Sequence, residues 1–171
     1  MASRQRVKIN VREHDLHVSA MHEAGHAVLV SLYLRRNVEV ALFPNAIGTL
    51  DPIEHRTILG QVRWTSGRRR MGKIYMAAVG VAGVCSERML ADEATEANDL
   101  FDEITGSLEA GELSETDAAP CRALTTRELE KAIGIAYAAI REHRPAALKL
   151  VRALKREYRR NGSSATLTWK C

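Results

Sequence analysis

The chain has 171 residues, 46% hydrophobic and 27% charged, enough for one domain with its own core and too few for two of ordinary size. Its formal net charge is +4, yet residues 141–160 alone carry +6, leaving −2 for the rest. No aromatic interleaving or nucleic-acid motif accompanies that basic block, so it reads as a solvated helix face and nucleic-acid binding is not expected.

Residues 1–11 are polar and basic with no apolar segment behind them, which predicts a flexible N-terminus rather than a secretory signal. From Asp15 to Arg36 the pattern turns helical. Ala20, Ala24, Ala27 or Val28, and Ser31 recur at steps of three and four, and Asn37 is a plausible terminator. Two runs rich in strand formers follow, Val38 to Phe43 and Ile58 to Trp64, separated by a loop with Gly48, Asp51-Pro52 and His55. They predict a small antiparallel pair or sheet, whose edge from Leu59 to Trp64 can receive an extended peptide by strand addition.

A long helix is expected from Gly67 to Leu90, its centre filled with small residues from Ala77 to Ser86. Its uncharged apolar run, Ile74 to Cys85, is twelve residues long. Spanning a bilayer takes roughly 20, so a buried helix and no membrane insertion are expected. A third helix begins near Asn98-Asp99, with Leu100, Ile104 and Leu108 on one face. Gly106 to Pro120 is acidic, carries turn formers and reads as a loop. Thr125-Thr126-Arg127-Glu128 is a capping box opening a fourth helix, with Leu129, Ile133, Ala136 and Ile140 along its stripe. Pro145 suits the start of a fifth, whose core face is Ala147, Val151, Leu154 and Tyr158. After Asn161-Gly162 comes a short tail, strand or disordered. The fold class is therefore mainly α (α+β), about five helices with a small antiparallel sheet beside the first.

The chemistry lies in His22-Glu23-Ala24-Gly25-His26. Residues four apart on a helix point the same way, so His22 and His26 can offer two imidazoles to one zinc ion while Glu23 reaches water beside it. Zinc acidifies water and polarises a carbonyl, and a carboxylate can take the water's proton and pass it to a leaving amine. These are the parts of a zinc metallopeptidase. The bland alternative is a helix with two histidines and no metal. Small Ala24 and Gly25 favour the metal, since they let another element pack close.

A catalytic zinc needs a third protein ligand. The other histidines are His14, His17, His55 and His143, none at the short downstream spacing that marks metzincins. A carboxylate from another helix is therefore expected, with Glu87 and Asp99 as candidates. Cys85, Cys121 and Cys171 lie far apart with no Cys-x-x-Cys pair, and read as reduced structural thiols of a cytoplasmic protein.

Met21-His22-Glu23-Ala24-Gly25-His26-Ala27-Val28 resembles the zinc helix of FtsH-type ATP-dependent proteases. Leu59-Gly60-Gln61 is similar to a Leu-Gly-Tyr-like step in that family's strand pair, which implies a substrate-binding role for these three residues. Val81 to Leu90 resembles the Gly-Gly-Arg-Ala-Ala-Glu-Glu-Leu region. Thr95-Glu96-Ala97-Asn98-Asp99-Leu100 resembles the Thr-Gly-Ala-Ser-Asn-Asp-Leu segment, whose aspartate is the third zinc ligand. The resemblance thus implies Asp99 as ligand and leaves Glu87 a packing or outer-sphere residue. It covers roughly residues 12–160, the peptidase domain. The family's transmembrane and ATPase parts are not matched, the Asn45–Thr57 connection is longer, and Glu96 replaces a glycine.

Two functions follow as expectations. One is an ATP-independent zinc endopeptidase acting on flexible or unfolded polypeptides, a monomer or small homo-oligomer. The other is a regulatory binding module that keeps the peptidase fold without turnover. The intact Glu23 favours the enzyme.

Overall fold

The computed structural model describes residues 11–45, 57–64 and 71–170. Six helices and three strands follow in the order α1 (Val11–Leu34), β1 (Val38–Pro44), β2 (Ile58–Arg63), α2 (Lys73–Ala91), α3 (Ala97–Ala110), α4 (Glu115–Arg122), α5 (Thr126–Glu142), α6 (Arg144–Asn161) and β3 (Ala165–Trp169). The mainly helical class with a small antiparallel sheet is as the sequence implies. The expected flexible N-terminus (but for its last residue, Val11, which opens α1) and most of the loop between the first two strands lie outside the described residues.

Helix α1 stops where Arg35 adopts a left-handed backbone at φ 53°, two residues before the anticipated Asn37. The chain then turns into β1, which pairs antiparallel with β2 in a register that sets Leu42 opposite Gly60 and Val40 opposite Val62. The C-terminal tail is strand: β3 pairs with the other side of β1, Val38 opposite Trp169, so the sheet order is β2-β1-β3. The domain therefore continues past residue 160, because the tail supplies the hydrogen bonds on β1's second edge. β2 is left at the sheet's edge, and among the described residues no strand pairs with its outer side.

Helix α2 is the hub. By length and apolar composition it qualifies as a membrane span, but 61% of that window is buried inside the protein. Ala77, Ala78, Val81, Ala82 and Cys85 are fully buried. Small side chains permit this. A Cβ added at Gly25 of α1 would lie 2.1 Å from the carbonyl oxygen of Ala82 and 2.6 Å from Ser86 Cβ. The stripes foreseen on α5 (Leu129, Ile133, Ala136, Ile140) and α6 (Ala147, Val151, Leu154, Tyr158) are all buried. The α5 capping box forms as read, with Thr125 Oγ1 accepting from Glu128 N at 3.3 Å and Glu128 Oε2 accepting from Thr125 N at 3.1 Å.

Two departures concern the segment after α2. Helix α3 runs on to Ala110, closed by Gly111 in a left-handed conformation at φ 69°. The remainder of the expected loop then folds into α4, capped by Ser114, whose Oγ accepts from Asp117 N. Pro120 inside this helix and the acidic composition conceal it. Ser114-Glu115-Thr116-Asp117 is nevertheless a helix start, with a hydroxyl cap and an acid three residues on.

On the basic face, Arg144, Lys155, Arg159 and Arg160 form ion pairs with Glu93, Glu13, Glu13 and Glu157. Glu93 and Glu13, outside the block, thus partly offset its excess charge at the surface. Cys85 and Cys121 are buried free thiols. Burial pushes the Cys85 thiol up to about 12 and the Cys121 thiol up to about 11, so neither is a ready nucleophile. Cys171 lies outside the described residues.

The close approach of α1 and α2 makes a paired prediction for thermal melts. Gly25→Ala must push the helices apart and should cost about 1–3 kcal/mol, lowering the melting temperature by several degrees. Gly134→Ala, on an α5 site where an added Cβ meets nothing within 4 Å, should instead raise stability by about 0.5–1 kcal/mol.

Candidate metal centre

His22 and His26 sit one turn apart on α1, ring centroids 4.7 Å apart and edge to face. Each is held from behind by α2. His22 Nδ1 donates to Glu87 Oε1 at 2.6 Å, and His26 Nδ1 donates to the Val79 carbonyl at 2.7 Å. Fixing both Nδ1 atoms turns both Nε2 atoms to the same side, as the outer partners of metal-binding histidines do. Gly83 makes room for this, because a Cβ there would stand 2.3 Å from the His22 ring.

The two Nε2 atoms face Asp117. His22 Nε2 lies 3.3 Å from Asp117 Oδ2 and His26 Nε2 lies 3.4 Å from Asp117 Oδ1. A buried His22, His26, Asp117 group with ligand atoms within 4.8 Å of one another can hold a metal ion. Donors about 2.0–2.2 Å from one tetrahedral ion stand roughly 3.3–3.5 Å apart, and both histidine–carboxylate distances lie in that range. Asp117 reaches this point because α4 lies against α2 at Gly80, where a Cβ would come within 2.5 Å of the Asp117 carbonyl oxygen. Its carboxylate also accepts from Ser114 Oγ at 2.9 Å.

The expected third ligand is thereby corrected. Asp99 is exposed and occupied elsewhere: it is the N3 residue of α3's capping box, its Oδ2 accepting from Glu96 N at 3.3 Å. The acid that the resemblance pointed to closes a helix terminus, and one 18 positions further on meets the histidines. Glu87 takes the outer role foreseen for it, on His22 Nδ1.

Charge supports a cation here. Asp117 is 7% and Glu23 5% exposed, and with Glu87 three carboxylates stand around two imidazoles. An acidic setting of this kind suits a cation. Burial alone would lower His22, but hydrogen bonds to Asp117 and Glu87 overcome it and raise the imidazole to about 10. His26, where burial dominates, is lowered and presents a neutral Nε2. Asp117 is held low although burial opposes it, through its hydrogen bond with His22, the charge of that imidazole and the Ser114 hydroxyl.

The centre lies at the floor of a groove of about 590 Å3 whose lining includes Glu23, Leu59, Gly60, Gln61, Trp64 and Asp117. Gly60 abuts the acid directly, since a Cβ there would fall 2.2 Å from Glu23 Cγ and 2.5 Å from its Oε1. The three residues expected to meet substrate are thus brought beside the histidines. His143 lies elsewhere, at the α5–α6 junction. Comparison with protein-family models and with curated proteins gives no match.

Two measurements test the ligand set. In a zinc competition assay, Asp117→Ala should weaken binding by about 100-fold or more, whereas Asp99→Ala should leave it within about twofold. Proton linkage gives the second. His22 is raised above its ordinary 6.5, so its ion pairs stabilise the metal-free fold fully below that pH and are lost as pH climbs through about 10. At pH 7.5 zinc must expel that proton, and calorimetry in buffers of different ionisation heat should detect release of about one proton per metal.

Proposed function

We propose that the protein is a zinc metalloendopeptidase that hydrolyses peptide bonds in flexible or unfolded polypeptide segments, with His22, His26 and Asp117 holding the metal and Glu23 as general base. The observation that carries this reading is the convergence of both Nε2 atoms and Asp117 beside Glu23, beneath an edge strand. When bound, zinc supplies Lewis acidity, acidifying water and polarising the scissile carbonyl. Glu23, one residue from the first ligand and against Gly60, takes the proton from the attacking water and returns it to the departing amine. The peptide nitrogen leaves protonated, and the carbonyl carbon gains the hydroxyl oxygen.

Strand β2 supplies the hold on substrate. An extended segment added to its outer side is fixed by main-chain hydrogen bonds, which read no particular sequence and demand an unfolded stretch. Activity on such segments needs no nucleotide under this reading, and a monomer or small homo-oligomer suffices. The FtsH-type resemblance of the zinc helix agrees with this chemistry, although the third ligand comes from a different segment. A cytoplasmic setting is consistent with the buried free thiols of Cys85 and Cys121.

Incubating the zinc-loaded protein with an unfolded protein, without nucleotide, tests the proposal. Chelator-sensitive cleavage is expected, and Glu23→Gln should lower kcat by about 10²–10⁴-fold while zinc stays bound. Cleavage that survives Glu23→Gln, or a zinc-loaded wild type that cleaves nothing, contradicts it. The second outcome would instead favour the regulatory module.

A further inference from the structure

Three buried polar residues run down α1 at four-residue steps: Asp15, Ser19 and Glu23, exposed by 8%, 3% and 5%. A stripe at this spacing on a core-facing helix is ordinarily apolar. Here its partners are Thr57, just before β2, and then Ile58 and Gly60 within it. Asp15 Oδ2 accepts from Thr57 N at 2.8 Å and from Thr57 Oγ1 at 2.7 Å. Ser19 Oγ donates to the Ile58 carbonyl at 2.6 Å. Glu23 then meets Gly60, where nothing larger than hydrogen fits. Helix and strand advance together: eight helical residues rise about 12 Å and three strand residues about 10 Å.

We infer that Asp15 and Ser19 are positioning residues for the substrate strand. They fasten the start of β2 to the zinc helix, so that the edge that receives the polypeptide is fixed relative to the general base on the same helix. This rests on the peptidase reading. Neither residue is a candidate metal ligand, and although Ser19 also lines the groove, both act through the start of β2. Without the Ser19 bond the Ile58 carbonyl loses its partner on α1, and the strand's first half is held only by its pairing with β1 and by Asp15. A substrate adding to that edge must then order it as well as itself, which weakens binding and leaves the chemistry of a bound chain unchanged.

The test uses the zinc-loaded full chain and an unstructured peptide of about ten residues, long enough to lie along β2. Ser19→Ala should raise KM about fivefold or more with kcat within about twofold, the size of one lost hydrogen bond. Zinc affinity should not move, and hydrogen exchange should quicken across residues 58–63 but not in α2. Thr57→Val, at an exposed position, removes only the hydroxyl bond to Asp15 and should raise KM by about twofold, while Thr57→Ser restores it. An active wild type with unchanged KM in both Ser19→Ala and Thr57→Val overturns this inference alone. So does a loss in kcat that follows falling zinc affinity. An inactive wild type overturns the peptidase reading and the inference together.

Discussion

The site depends on how closely α2 can lie against α1. Gly25 meets the Ala82 carbonyl where any side chain would collide, and Gly83 does the same beneath the His22 ring. At that separation the Val79 carbonyl and the Glu87 carboxylate reach the two Nδ1 atoms and fix both imidazoles. Gly80, one turn before Gly83, admits the backbone of α4 and with it Asp117. One helix of small residues therefore positions all three candidate ligands while contributing none of them. Wider helix spacing would leave His22 and His26 free to rotate and their Nε2 atoms without a common focus.

Electrostatics makes the same arrangement hospitable to a cation. Three carboxylates gather around two imidazoles in a largely buried place, where burial alone would lower His22 but hydrogen bonds to Asp117 and Glu87 raise it to about 10. A metal ion bound there would take the place of a proton on His22 and be shared by all three donors. The groove above is lined by β2, with Gly60 against Glu23. Pairing of β3 on the far side of β1 matters here, because it leaves β2 as the edge beside the metal centre.

Much of this was legible in the sequence. Periodicity finds α1, α3, α5 and α6, an uncharged run of small apolar residues finds α2, and the spacing of His22 and His26 puts both imidazoles on one face. Asp117 was not legible, for a local reason: Gly106 to Pro120 is acidic and interrupted by turn formers, so a helix of eight residues passed as loop. The signal that could have found it is Ser114 three residues before Asp117, the same cap logic that revealed α5. Asp99 misled in the opposite way. An acid three residues after Glu96 at a helix start serves the backbone amides there, and similarity to a zinc-binding segment does not remove that local demand. Which acid reaches the histidines is decided by tertiary packing at Gly80, and no one-dimensional pattern encodes it.

Zinc-edge anomalous diffraction from crystals grown with one equivalent of zinc tests the central claim most directly. The account predicts a single strong peak bonded to His22 Nε2, His26 Nε2 and an oxygen of Asp117, with Glu87 remaining on His22 Nδ1. A peak coordinated by Asp99, or no peak at the histidine pair, would contradict it.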